Sequence, residues 1–172
     1  MLASYIPTEV SVVISQASTG ISERLVMFME DTFVAVEHTA DSWTTYNGVD
    51  SDKAGSTRVH NSSKAGTITV SLQQTSPSND VLQAIFDRDN TQYDGVFSII
   101  VKDGSGRSIH HAKEAYIGKR PTQTFGSGMN GIEWVIMSGD LAKSIGGNSK
   151  VEQSTADSVA KAGGSISSEW IL

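Results

Sequence analysis

The chain of 172 residues has no cysteine, only three prolines, and few aromatic side chains, 7% of the total. Without cysteine there are no disulfides, thiolate metal centres or cysteine nucleophiles, which fits assembly in a reducing cytoplasm. No apolar run approaches the ~18 residues that a bilayer-spanning helix needs. The N-terminal stretch MLASYIPTEVSVVIS lacks a basic leader and a continuous apolar segment, so no signal peptide is expected. Basic character is missing too. The formal charge is −6, and the largest cationic cluster is Lys119-Arg120. A tight DNA binder carries a basic stripe. This composition is either ordinary solubility charge or a surface that lets nucleic acid pass without holding it.

Signatures of catalysis fail on inspection. GSGMNG at 126–131 matches G-x-G-x-x-G, but a strand pattern follows it where a phosphate site needs a helix N-terminus. Asp87 to Thr91 imitates the start of a calcium loop, yet Gln92 stands where glycine belongs and Ser98 where the bidentate glutamate belongs. His110 and His111 would face opposite sides of a strand and cannot easily share a metal. Asn61-Ser62-Ser63 is a glycosylation acceptor only in a secreted chain. No enzyme, metal or cofactor is expected.

What is present reads as mainly β. Val10 to Ser15 and Glu23 to Met29 are apolar runs split by the turn Ser18-Thr19-Gly20, a hairpin pattern. In the second run Leu25, Met27 and Met29 would share one face and Val26 and Phe28 the other, so both faces are apolar. Such a strand lies between packed layers or against another subunit. Thr32 to Glu37 is a further strand. His38 to Ala65 is polar and acidic, too long for an ordinary connection, and carries Trp43, Tyr46, Asp50 and Asp52. Gly66 to Leu72 alternates strictly, with Thr67, Thr69 and Ser71 on one face and Ile68, Val70 and Leu72 on the other. Ser76-Pro77 is a helix start, and Val81, Leu82, Ile85 and Phe86 repeat at helical spacing towards a stop near Asn90. Val96 to Lys102 has Phe97, Ile99 and Val101 on its core face, and DGSG at 103–106 turns the chain into a return strand, Arg107 to Ile117. Ile132 to Ser138 is apolar on both faces again. Seven or eight strands and one helix predict an antiparallel β-barrel or sandwich with a helical plug. The polar stretch after Gly146, with a short helix near 154–162, ends on Trp170-Ile171-Leu172, a tail that docks in cis or in trans.

The segment KAGTITVSLQQTSPSNDVLQAIFDRD, with the acidic glycine-marked loop before it and the final Glu133-Trp134 to Asp140-Leu141 element, resembles the tail tube proteins of contractile-tailed bacteriophages. The resemblance spans roughly residues 10–141. It implies a tail tube β-barrel domain over 1–145 with a stacking loop at 38–65 and a helix on the outer side of the barrel; residues 146–172 lie outside the resemblance and read, from their composition, as a C-terminal arm. It also implies hexameric rings stacked into a tube whose lumen conducts DNA. At about 4.8 Å per strand and ~40° tilt, 24 strands per ring give a backbone diameter of roughly 45–50 Å. Partners would be further copies of the chain, the sheath, the tape measure, the baseplate and the tail terminator, with DNA in transit and no membrane. The place would be the virion, assembled in the bacterial cytoplasm. Trp43, Tyr46, Asp50 and Asp52 would reach the adjacent ring, and Leu25, Met27, Trp134 and Ile136 would line subunit contacts. Trp170, Ile171 and Leu172 would anchor the arm. Thr67, Thr69 and Ser71 would face either the lumen or the outside. The rivals are the tube of a type VI secretion or contractile bacteriocin particle, and a monomeric ligand-binding β-barrel.

Overall fold

The computed structural model describes residues 2–49 and 55–172. Among these residues ten strands form: β1 Val10–Gln16, β2 Ile21–Arg24, β3 Val34–His38, β4 Trp43–Asn47, β5 Ser56–His60, β6 Gly66–Gln73, β7 Phe97–Asp103, β8 Ile109–Ile117, β9 Gly131–Ser138 and β10 Leu141–Ser144. Two helices join them, α1 Ser78–Gln92 and α2 Gln153–Lys161. The main sheet runs β2-β1-β7-β8-β9-β6-β3, with β10 beside β8, while β4 and β5 pair only with each other. Every pairing between these strands is antiparallel.

Period-2 patterning produces this sheet and its single core. Val12 and Ile14 of β1, Ile68, Val70 and Leu72 of β6, Ile99 of β7 and Ile136 of β9 all point inward and are buried. The intervening residues point out, as strand geometry requires. β9 and β10 continue one line along β8: Ala115–Ile117 pair with β9, and Ile109–Ala112 with β10. Between them the line kinks at Gly139-Asp140. The buried Ser138 hydroxyl holds that kink, donating to the Glu114 carbonyl (2.7 Å) and accepting from the Asp140 amide (3.2 Å).

β10 was not expected. It is short, and its exposed residues leave no alternation to read. The second expected strand also differs. β2 ends at Arg24, and Met27 takes φ +59°, in the left-handed region. Leu25, Met27 and Met29 therefore share no strand face. The chain instead leaves β1 at Leu25 and crosses to the end of β6, where Phe28 bridges Leu72. The serines that precede and open α1 hold this crossing: the Ser76 hydroxyl donates to the Val26 carbonyl (2.6 Å) and the Ser78 hydroxyl accepts from the Val26 amide (2.9 Å). Ser76 also accepts from the Ser78 amide (3.2 Å), with Pro77 at helical φ −66°.

α1 spans from the end of β6 to the start of β7. It buries Leu82 and Ile85 in the strand core and stops at Tyr93, whose φ is +55°. It covers the core side of the sheet, opposite the Thr67, Thr69 and Ser71 face.

Candidate assembly surfaces

The expected stacking loop is built around a ribbon. β4 and β5 pair from Trp43–His60 to Asn47–Ser56, and every side chain of both strands is exposed. One face carries Trp43 with the Arg58 guanidinium 3.7 Å from its ring and His60 at 4.7 Å. The other carries Thr44, Tyr46, Thr57 and Val59, with Tyr46 and Val59 largely exposed. Asp50 and Asp52, expected to reach the adjacent ring, lie outside the described residues. An isolated two-stranded ribbon is marginal in water at best. Trp43 keeps 46% of its surface exposed despite the stacked cation.

The residues expected to line subunit contacts are corrected. Leu25, Trp134 and Ile136 lie in the chain's own core, with Trp134 only 2% exposed. Its indole N–H donates to Asn79 Oδ1 at 2.9 Å, and Asn79 Nδ2 donates to the Gln73 carbonyl. These side chains are spent internally. What β9 presents outward is Glu133, Val135 and Met137, beside Ser71, Thr69 and Thr67 of β6. The sheet face with Thr67, Thr69 and Ser71 is thus uncovered by any helix, and Glu37 of β3 lies alongside, accepting from Thr67 Oγ1 at 3.4 Å. Met27 is exposed, though not on a strand.

The C-terminal segment docks in cis on the turn between β7 and β8. Arg107 gives its amide to the Gly147 carbonyl and Nη1 to the Ser149 carbonyl (2.7 Å), and its guanidinium lies 4.9 Å from the Trp170 ring. Asn148 Nδ2 donates to Asp103 and Ser105, and Ser108 exchanges two bonds with Gly146. Burial works to raise the Asp103 carboxyl, but the bonds from Asn148 and Ser105 more than offset it and hold it below the usual carboxylate value. A Cβ on Gly146 would come within 2.5 Å of Arg107, so this close approach needs glycine. Val151 and Ile171 bridge in parallel, fastening the chain end to the start of α2, while Leu172 stays exposed.

A cleft of about 430 Å³ opens where β1 and β8 begin and β7 and β10 end. Val10, Val34, Val36 and Val101 line it, with Asp31, Asp103 and Lys143 around them. His110 lines it as well, and its Nδ1 has no hydrogen-bond partner. Burial and then the Lys143 charge hold this imidazole below the usual histidine value. His111 points to the opposite face, as the pleat dictates, and no metal-ligating cluster occurs among the described residues. GSGMNG runs into β9 and not into a helix.

The features described are an antiparallel sheet around one core and an exposed two-stranded ribbon. Residues 2–146 match the family model described as the bacteriophage PhiTE tail tube protein. The chain belongs to this tail tube family. It is 41% identical over 171 residues, 98% of this chain and 97% of the relative, to "Structural protein ORF10" of Pseudomonas phage KPP10. Among solved structures, the anti-feeding prophage cap, a tube terminating cap, superposes with a TM-score of 0.55 at 10% identity, over 84% of this chain and 93% of that one. That likeness is one of fold. As a tail tube family member the chain is a structural protein of the phage tail, and so a component of the virion.

Proposed function

We propose that this chain is the inner tube subunit of a contractile phage tail, forming hexameric rings that stack into a conduit for DNA. The ribbon carries the reading. A two-stranded hairpin exposed on both faces, with Tyr46 and Val59 unpartnered on one of them, is stable in service only against another molecule. In a tube that molecule is a copy in the adjacent ring. The outer strands β2 and β3 have unpaired backbone edges, and joining them edge to edge around a ring removes the hazard of free edges.

The uncovered face of β6 and β9 suits the lumen. Hydroxyls from Thr67, Thr69 and Ser71, together with Glu37 and Glu133, offer phosphate no cation to grip. A basic wall would bind DNA by counterion release and stall its passage. The sheath, tape measure, baseplate and terminator are the remaining partners, and no catalytic step is involved. The fold shared with an anti-feeding prophage cap keeps a non-phage contractile particle as the second reading.

Deleting Ser42 to Ser63 tests the ribbon's role. The shortened chain loses the ribbon's share of strand signal but keeps its melting behaviour, because the ribbon contributes nothing to the core, and forms shorter stacks in negative stain. Unchanged tube length overturns the role.

A further inference from the structure

The two ends of the sheet are not alike, and each has a feature that its own chain leaves unfinished. At the end where β1 and β8 begin lies the cleft lined by Val10, Val34, Val36, Val101, His110 and Ile145. Its volume is in the range of roughly 300–1,000 Å³ typical of pockets that enclose a compact ligand. Four of these residues are valines, drawn from three strands, and the one aromatic heterocycle among the six has an unpartnered nitrogen. At the opposite end, just before β7 starts, stands Tyr93. It closes α1 in the left-handed region, φ +55° and ψ +36°, where glycine is the favoured residue. Its ring is 89% exposed.

A bulky side chain in a strained backbone conformation, directed into solvent, costs the isolated molecule stability and gives it nothing. The setting makes Tyr93 rigid. Arg88 holds Asp94 with bonds of 2.7 and 3.1 Å, the Gly95 amide donates to Asp89 Oδ1, and the Tyr93 amide donates to the Asp89 carbonyl. A Cβ on Gly95 would come within 2.2 Å of Asp89, so the turn has little freedom. A pre-set aromatic anchor loses little entropy when it is buried.

We infer that Tyr93 of one copy seats in the Val34/Val36/His110 cleft of the next, making an end-to-end contact between copies. This rests on the tube reading. Knob and hole lie at opposite ends of β7, so the contact is heterologous and propagates in one direction instead of closing on a pair. A phenol suits the site because its hydroxyl both donates and accepts. It therefore matches the His110 imidazole that lines the cleft in either tautomer.

The test uses the full-length chain, Tyr93→Gly, and a cleft-filling Val36→Trp variant. Tyr93→Gly relieves the left-handed strain, so its melting temperature holds or rises by about 2–4 °C. The critical concentration for stacking of this variant rises at least about tenfold, seen by sedimentation. Mixing it with Val36→Trp, whose Tyr93 is intact, restores one junction and gives products that stop at two layers. Tyr93→Gly stacking like the wild type overturns the contact and leaves the tube reading standing. A wild-type chain that stays monomeric removes both. Two-layer products from Tyr93→Gly alone would also overturn the contact, since they need a junction without Tyr93.

Discussion

Residue by residue, the motif Ser76-Pro77-Ser78-Asn79 does more than start a helix. Ser76 and Ser78 hold the Val26 backbone where the chain crosses from β1 to β6, and Asn79 satisfies the indole of Trp134. A buried N–H without an acceptor costs about 1–3 kcal/mol, so Asn79→Ala lowers unfolding free energy by that amount in urea titration. A loss below about 0.5 kcal/mol would show the indole finding another acceptor. The motif was legible as a helix start and, through its resemblance, as a family mark. Its grip on residue 26 was not, because a contact across 50 positions has no local periodicity. The same gap hid the fate of Leu25, Met27 and Trp134. Sequence identifies an apolar residue but not which apolar surface it meets.

His110 gives the second prediction at this scale. Its folded pKa is depressed, so below the unfolded value of 6.5 the unfolded chain takes up a proton that the folded chain resists. Stability therefore falls as the pH drops through that value and stops falling only below the depressed pKa. Asp31, Asp103 and Lys143 share the cleft and modulate the effect. His110→Asn should flatten the dependence of denaturation midpoint on pH between about 6.5 and 5. An unaltered slope would assign the effect to another group.

At the scale of elements, strict alternation was the best guide. β6 and β7 were readable to within a residue or two, core faces included, because each has one buried and one open side. The polar span 38–65 has the pattern of a loop, yet it contains β4 and β5. Their residues are exposed on both faces, so no buried stripe betrays them. The arm is likewise held by polar groups and one stacked cation, a pattern that leaves little trace in hydropathy. Arg107 is its main fastening. Arg107→Ala should leave the sheet folded while residues near Gly146 to Lys150 become cleavable, so that limited proteolysis releases the arm several-fold faster. Equal rates in both chains would place the fastening elsewhere. Because Asp103 is held below its unfolded value of 3.8, its share of that docking is present above this pH and lost as the pH falls below it.

For the whole molecule, one core is enclosed by one curled sheet and closed on one side by α1, and the unfinished parts lie outside it. Trp134 is sheltered, and Trp170 is partly covered by Arg107, but Trp43 keeps 46% of its surface exposed on the ribbon. The account therefore turns on whether identical copies complete these surfaces. An electron micrograph of the concentrated, purified chain tests this most directly. The account predicts rings and stacked hollow tubes. A field of separate particles of 18.3 kDa, with no rings at any concentration reached, would contradict it.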